Sequence, residues 1–390
     1  MLKVHQFPVK LPGTFWGITN FFNPTRYGNK YENYRIFRDN SKRQGLNLIT
    51  VELVFDDAPF ILKKDIDAEI LIQIRGAKEK NLMWQGERLF NVGLEHLPDD
   101  CDKVGWIDCD IVFKNDFWIK ETSALLEKYV VVQPFEYAAR LPKGLCDLSE
   151  GKFEQFDIGN EENQKCYSYV YKTVNSLKGP DATGFVWAAR KVAIRQHFLY
   201  EHMLFGGGDS IMARSFMSNK IPEMPIRLFS TDAMRADQDI YASRIYKETQ
   251  GSVYYAKGVV FHLWHGDEAG KLKFFRHKIL QFFNFSPTGD IRIGPSGLLE
   301  WSSDKPEFHQ AVGEYYRIRN EDGNGSVLTS RIIDELNTAN KRLKAVELRL
   351  KAMETSISYK IFQVFKRSYN IIIPSKKIRS FIHKILIKKC

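Results

Sequence analysis

The sequence predicts an α/β domain with a mostly parallel central sheet, because apolar segments of strand length alternate with segments of helical periodicity. Hydrophobic residues make up 44% of the 390-residue chain, which is enough for a large core. Sheets of this class bind ligands beyond the carboxyl ends of their strands. Polar residues that follow the predicted strands are therefore the first candidates for a functional site.

Six segments predict the first part of this sheet, and each ends at a turn signal or a change of periodicity. Gly45, for example, is placed to end a helix. The predicted order is a strand at 14–22, a helix at 31–44, strands at 46–55 and 70–74, a helix at 84–97 and a strand at 103–113. Later apolar runs at 130–134, 184–189 and 259–266 continue the core, and 141–180 is predicted to be a long loop with short elements.

The strand at 103–113 carries the strongest signal, because after Lys103 it is apolar except for Asp108 and Asp110. Side chains two residues apart on a strand point to the same face. Carboxylate oxygens are suitable ligands for Mg²⁺ or Mn²⁺. The D-x-D pattern alone is weak, since three other triplets occur at 65–67, 100–102 and 237–239, none of which follows a hydrophobic run.

Charge and cysteine content exclude several classes of protein. The chain has 57 basic and 47 acidic residues, of which 14 and 2 lie in 341–390, leaving 43 and 45 in the first 340 residues. A nucleic-acid-binding body is therefore not expected. Five cysteines without C-x-x-C spacing argue against a zinc site or a disulfide framework. The N-terminus lacks the apolar core of a signal peptide, so a cytoplasmic protein is expected.

The C-terminal part of the chain has a different pattern. Apolar residues recur at alternating spacings of four and three, which predicts a short coiled coil at 331–357 that could form a homodimer, or an amphipathic helix packed on its own domain. These residues are Ile332, Leu336, Ala339, Leu343, Val346, Leu350, Met353 and Ile357. The segment 358–390 predicts a basic amphipathic helix that binds an anionic membrane surface or, alternatively, an acidic protein. No apolar run is long enough to span a bilayer.

Four motifs could converge on one site: the turn at 23–26, the Asp108/Asp110 pair, Asp209 in a glycine turn, and the histidines of 262–265. Together they suit transfer from a nucleotide-linked donor. A divalent ion would neutralise a diphosphate as a Lewis acid. A carboxylate would act as general base, and histidine could complete the coordination shell, most readily for Mn²⁺.

The segment 84–113 resembles metal-dependent glycosyltransferases of the GT-A fold. Its helix and D-x-D triplet are similar to the R-x-K-L-L-N-V-G segment and the D-V-D motif of the β-1,4-galactosyltransferase family. The segments 23–26, 205–209 and 262–265 resemble that family's P-F-R turn, W-G-G-E-D turn and M-x-x-H element, in the same order. The chain is also similar to bacterial polysaccharide glycosyltransferases of the broad family 2-like group.

The resemblance implies an inverting glycosyltransferase that uses a nucleotide-sugar donor, a glycan or lipid-linked glycan acceptor, and Mn²⁺ or Mg²⁺. It implies that Asp209 is the catalytic base. The implied metal ligands are Asp110 and His265, with His262 as a possible third. The implied nucleotide-sugar contacts are Asp108, Pro24, Arg26 and Arg88, and the implied acceptor contacts are Phe205, Gly206 and Gly207.

Two departures from the family pattern leave the acceptor open. Gly208 stands in place of an acidic residue that helps to hold an N-acetylglucosamine acceptor, and Phe205 replaces the tryptophan beside it. Structural alternatives also stay open: Asp209 could cap a helix at Ser210, and Arg88 could pair with a nearby glutamate, Glu87 or Glu95. The two histidines could be a packed strand residue (His262) and a turn residue (His265).

The predicted domains are a catalytic domain at 1–300, a linker or packing segment at 301–330, the coiled coil at 331–357 and the membrane-associating tail at 358–390. Two other functions remain alternatives. A sugar-phosphate nucleotidyltransferase would usually carry G-x-G-T-R after the first strand, where this chain has Asn20-Phe21-Phe22-Asn23-Pro24. A non-enzymatic, membrane-docked scaffold would keep the fold without binding nucleotides.

Overall fold

The computed structural model divides into two compact units, Met1–Gly325 and Ser326–Cys390. The described residues are 8–145, 164–174, 182–266, 273–319, 321–322, 345, 348 and 349. In the second unit the three described residues are helical. The predicted coiled coil at 331–357 otherwise lies outside the described residues, as does the whole tail at 358–390. Among the described helices, none is long and apolar enough to cross a membrane.

The first unit is built on a seven-stranded sheet, a four-stranded sheet and a two-stranded sheet. Its strands, numbered along the chain, are β1 (Thr14–Phe22), β2 (Asn47–Phe55), β3 (Ile70–Gly76), β4 (Cys101–Ile107), β5 (Ile111–Phe113), β6 (Val131–Gln133), β7 (Tyr137–Arg140), β8 (Gln164–Lys165), β9 (Val186–Arg190), β10 (Val253–Tyr255), β11 (Val259–His262), β12 (Ile291–Ile293) and β13 (Leu299–Trp301).

Helices cover and connect these sheets. They are α1 (Gly28–Arg43), α2 (Lys78–Asn81), α3 (Gly86–Glu95), α4 (Trp118–Leu126), α5 (Tyr167–Val174), α6 (Lys191–Ile194), α7 (Gly208–Ser215), α8 (Asp232–Thr249), α9 (Lys273–Phe282), α10 (Pro287–Asp290) and α11 (Pro306–Ile318), with a 3₁₀ turn at Pro225–Phe229. The predicted segment at 301–330 thus contributes α11 to the first unit.

The large sheet has the order β10-β6-β9-β4-β1-β2-β3. Four of its six pairings are parallel, and only β9 runs antiparallel to both neighbours. The predicted fold class, an α/β domain with a mostly parallel central sheet, is therefore confirmed. The nearly continuous apolar sequence of β2, in which eight of nine residues are buried, is typical of a strand covered on both faces.

The direction of strand addition reverses at β1, since β2 and β3 lie on one side of it and β4 lies on the other. At such a reversal the connections leave in opposite directions and a crevice opens between the carboxyl ends of the two strands. Asn23 follows β1 and Asp108 follows β4, so both lie at this crevice.

Candidate active site

A cavity of about 520 Å³ opens at the crevice beyond β1 and β4. It brings together most of the residues that the sequence singles out. Those among its lining residues are Pro24, Asp108, Asp110, Phe205, Gly206, Gly207, Asp209, His262 and His265. We call the part around Asp110, His262 and His265 the histidine end, and the part around Gly206–Asp209, Trp84 and Glu87 the glycine end.

The Asp108–Asp110 triplet lies in a turn rather than on one strand, which corrects the prediction of a single strand at 103–113. β4 ends at Ile107, and β5 begins at Ile111 in the other sheet. The amide of Ile111 donates to the carbonyl of Asp108 across this turn. The two carboxylates therefore reach the cavity because the chain changes sheets between them, and not because they share a strand face.

The other three D-x-D triplets have structural roles. Asp67 accepts a hydrogen bond from a main-chain amide four residues earlier, Asp102 pairs with a lysine, and Asp239 pairs with a buried arginine. None of these three carboxylates lines the cavity. The position of a triplet at the end of a core strand therefore distinguishes the cavity triplet from the others.

Three possible metal ligands meet at the histidine end. Strand β11 pairs antiparallel with β5, with His262 opposite Ile111, and the amide of Leu263 donates to the carbonyl of Asp110. As a result the Nε2 atoms of His262 and His265 lie 3.0 Å apart and 3.8 and 3.7 Å from the oxygens of Asp110. The three ligand atoms lie within 4.8 Å of one another.

This donor set fits a divalent cation. Oδ1 of Asp110 is buried and has no hydrogen-bond partner, which is costly unless a cation occupies the site. Adjacent ligands of a six-coordinate ion with bonds of about 2.1 Å lie roughly 3 Å apart, close to the observed spacing of the two Nε2 atoms. A carboxylate with two imidazoles suits Mn²⁺ better than an all-oxygen site would.

The two histidines differ in what faces their other ring nitrogen. Oε2 of the buried Glu321 lies 3.6 Å from Nδ1 of His265, and this negative charge favours a proton on Nδ1 and a lone pair on Nε2. Nη1 of Arg140 lies 3.4 Å from Nδ1 of His262, and a guanidinium can only donate. Coordination through Nε2 of His262 therefore requires Arg140 to turn away, which makes His265 the better prepared ligand.

Sequence reasoning missed the cations that balance the histidine end, Lys30 on α1 and Arg319 after α11, as well as Glu321. Burial alone would raise the pKa of Glu321, but Arg319, the neighbouring His265 and Lys30 hold it well below its usual range. Burial would lower the pKa of Lys30, but Cys109, Glu321 and Asp110 raise it above its usual value. No motif marks Arg319 or Glu321, which become neighbours of the histidines only through tertiary packing.

Asp108 lies between the two ends of the cavity. One of its oxygens accepts a hydrogen bond of 3.2 Å from the amide of Phe185. Its side chain reaches solvent through the open cavity, although protein atoms crowd around it. This position, together with the carboxylates of Asp110 and Asp209, raises the pKa of Asp108 to about 8. A carboxylate placed in this way is available to a ligand that brings hydrogen-bond donors or positive charge.

Asp209 lies in the first turn of α7, and it does not cap that helix. The N-cap is Gly207, whose φ of 99° is a left-handed conformation that favours glycine. Oδ2 of Asp209 instead accepts a hydrogen bond of 2.7 Å from the hydroxyl of Thr183, another residue that sequence reasoning missed. The capping alternative is therefore wrong, and the carboxylate is held at the cavity wall by Thr183.

Two of the predicted nucleotide contacts do not reach the cavity. Arg26 is exposed in the turn after β1. The buried guanidinium of Arg88 pairs with Glu95 at 3.2 Å and Glu201 at 3.3 Å, and donates to the carbonyl of Gly297. The structural alternative for Arg88, pairing with a glutamate, is the observed one. Neither arginine is among the residues that line the cavity, and contact of either with a nucleotide stays a prediction.

The glycine end is walled by α3 as well as by the turn before α7. Phe205 is fully buried and packs edge-on against Tyr315, with ring centroids 4.8 Å apart. Nε1 of Trp84 donates to Oε2 of Glu87 at 2.6 Å. Burial and the neighbouring Asp209 raise the pKa of Glu87 to about 8. Trp84 and Glu87 were not predicted as site residues, although both lie in the segment that resembles the family motif.

No family model matches the sequence, and no curated protein matches it. Among solved structures, the chain is similar to glucosyl-3-phosphoglycerate synthase from Mycobacterium tuberculosis in complex with Mn²⁺, UDP and phosphoglyceric acid, with 10% identity and a TM-score of 0.34 over 72% of this chain and 82% of that one. It is similar to a Drosophila β1,4-galactosyltransferase 7 mutant in complex with manganese, UDP-Gal and xylobiose, with 13% identity and a TM-score of 0.25 over 51% and 59%. A third similar structure is 4-diphosphocytidyl-2C-methyl-D-erythritol synthase from Anaerococcus prevotii, with 12% identity and a TM-score of 0.29 over 63% and 89%.

Proposed function

We propose that this protein is a metal-dependent, inverting glycosyltransferase that moves a sugar from a nucleotide-sugar donor to a hydroxyl of a glycan or lipid-linked glycan. The observation that carries the proposal is that one cavity holds both the cluster of Asp110, His262 and His265 and the separately positioned carboxylate of Asp209. A cation site for a leaving diphosphate and a base for an incoming hydroxyl are the two requirements of such a transfer.

The residues of the cavity would divide the chemistry as follows. Asp209, oriented by Thr183, would accept the proton of the acceptor hydroxyl as its oxygen forms a bond to the anomeric carbon of the donor sugar. The bond from that carbon to the diphosphate oxygen breaks, and its electron pair leaves with the diphosphate. A divalent ion held by Asp110, His265 and His262 would supply Lewis-acid stabilisation of that charge. Asp108 would hold the donor sugar or its ribose, and Pro24 would line the nucleotide side.

Release of nucleoside diphosphate tests this proposal. The purified chain is incubated with a panel of nucleotide sugars and Mn²⁺, with and without EDTA, and free nucleoside diphosphate is measured. The proposal expects release from at least one donor that stops with EDTA. Release that is insensitive to EDTA would refute the metal assignment. Formation of pyrophosphate from a sugar phosphate and a nucleoside triphosphate would instead identify a nucleotidyltransferase, and binding of no nucleotide would favour a scaffold.

Peripheral association with the inner face of the cell membrane through 358–390, and dimerisation through 332–357, remain proposals that rest on the sequence pattern. Attachment to an anionic surface would place the cavity near lipid-linked acceptors.

A further inference from the structure

We propose that Trp84 and Glu87 form the recognition site for the acceptor, and that this acceptor presents an uncharged hexopyranose ring. The inference rests on the proposed function, because it names the acceptor class of the same cavity. Both residues line the cavity on the side of Asp209. They belong to one turn at the start of α3, and the 2.6 Å hydrogen bond from Nε1 of Trp84 to Oε2 of Glu87 fixes each against the other.

The glycines of 206–208 have no side chains that could fill the glycine end of the cavity, so Trp84 and Glu87 at the start of α3 can occupy it. A Cβ atom at Gly208 would lie 2.6 Å from Oε1 of Glu87 and 2.8 Å from the carbonyl of Tyr200, closer than such atoms approach. A Cβ atom at Gly206 would lie 3.5 Å from the indole ring of Trp84. The carboxyl of Glu87 therefore occupies the space that a side chain at 208, next to Asp209 in the sequence, would otherwise take. The indole of Trp84 does the same for a side chain at 206.

An indole beside a carboxyl is the chemistry that recognises a sugar ring. The half-buried Trp84 contributes apolar ring surface to the cavity wall and is held by an edge-on contact with Phe22, at 5.6 Å between centroids. Oε2 of Glu87 accepts from the indole, and Oε1 lies on the side of Gly208 and Asp209. Burial and Asp209 raise the pKa of Glu87 to about 8, so its carboxyl keeps a proton at neutral pH and can both donate to and accept from hydroxyls.

The charge at this end selects against an acidic sugar. Glu87 lies near Asp209 and Asp108, whose charges both raise its pKa. A uronic acid bound here would bring its carboxylate close to the negative charge of Asp209, and like charges at close range disfavour one another. The expected ligand is therefore a neutral hexose or N-acetylhexosamine unit, with a hydroxyl directed to Asp209.

Saturation-transfer NMR with the full chain tests the site directly. The probes are methyl β-D-glucopyranoside, methyl β-D-galactopyranoside, methyl N-acetyl-β-D-glucosaminide and, as charged counterpart, methyl β-D-glucopyranosiduronate. The expected result is a signal from at least one neutral glycoside that exceeds the signal from the uronide. Glu87→Ala and Trp84→Phe should weaken its binding tenfold or more. The control Glu95→Ala, on the same helix but paired with Arg88 away from the cavity, should bind as the wild type does.

Three results would overturn the inference: no binding of any neutral glycoside, preferred binding of the uronide, or equal binding by the wild type and both site variants. Thermal unfolding of each variant separates lost binding from lost folding, and the conservative Glu87→Gln, which keeps a donor and an acceptor, should retain part of the affinity. Glycoside binding needs no donor, so failure of the sugar site and failure of metal-dependent nucleoside diphosphate release are independent results.

Discussion

The two ends of the cavity arrange their charges in opposite ways. At the histidine end, Arg319, His265 and Lys30 hold the pKa of Glu321 well below its usual range, against the effect of burial. At the glycine end, burial and the neighbouring Asp209 raise the pKa of Glu87 to about 8. The first end keeps the carboxylate of Glu321 charged beside the candidate cation site, whereas the second keeps a proton on Glu87 that can be shared with hydroxyls.

The largest expected effect comes from removing the base at the glycine end. Asp209→Asn keeps the size of the side chain and its hydrogen bond from Thr183, but the amide cannot accept the proton. Transfer should fall by about 10²–10⁴-fold, with nucleotide binding unchanged in calorimetry. The exposed Asp304→Asn is the matched control and should keep the full rate. Full turnover by the Asp209 variant would remove it as the base.

The next largest effect is expected from neutralising Glu321, the carboxylate that faces Nδ1 of His265. Glu321→Gln removes the charge that favours a lone pair on Nε2, and a carboxylate that orients a liganding histidine typically contributes 10–100-fold, so Mn²⁺ affinity should fall by roughly that factor. Isothermal titration with Mn²⁺ measures it. Glu314→Gln, an exposed partner of Arg317 on α11, is the control. Equal Mn²⁺ affinities in the wild type and the Glu321 variant would show that this carboxylate does not prepare the ligand.

A smaller effect follows from the proton on Glu87. Its pKa rises from 4.5 to about 8 on folding, so the folded chain holds a proton that the unfolded chain releases between these values. Stability must therefore decline as pH rises through this window, and Glu87→Gln should remove that decline. From the acidic to the alkaline end of this pH window, the free energy of unfolding of the variant should rise by roughly 2–5 kcal/mol relative to that of the wild type. Denaturant unfolding measured across it should show the difference, and parallel stability curves would contradict the raised pKa.

The smallest effect on either end is expected from removing 358–390. Binding to liposomes that contain phosphatidylserine should be lost, because the basic residues and the predicted apolar face of the segment are removed together. Turnover with a water-soluble acceptor should not change. Liposome binding that survives the truncation would assign membrane attachment to another part of the chain.

Sequence patterns predicted local elements and residues near a motif, but not distant neighbours. The strand at 14–22 coincides with β1, and Asp110, His262 and His265 converge as the order of the motifs predicted. The break at 108–110 was missed because apolar residues on both sides look the same whether the chain continues in one sheet or enters another. Glu321 and Arg319 were missed because only the packing of α11 and the chain after it brings them to His265. The ion pairs of Arg88 could not be predicted from the motif, since spacing cannot tell a buried ion pair from a ligand contact.

Direct titration of Mn²⁺, followed by the electron paramagnetic resonance signal of the free ion, tests the central claim that the histidine end binds a cation. The wild type should bind one ion per chain, Asp110→Ala should lose that site, and Asp57→Ala, which removes an exposed carboxylate, should retain it. Binding of no Mn²⁺ by the wild type, or binding that is unchanged in Asp110→Ala, would contradict the account.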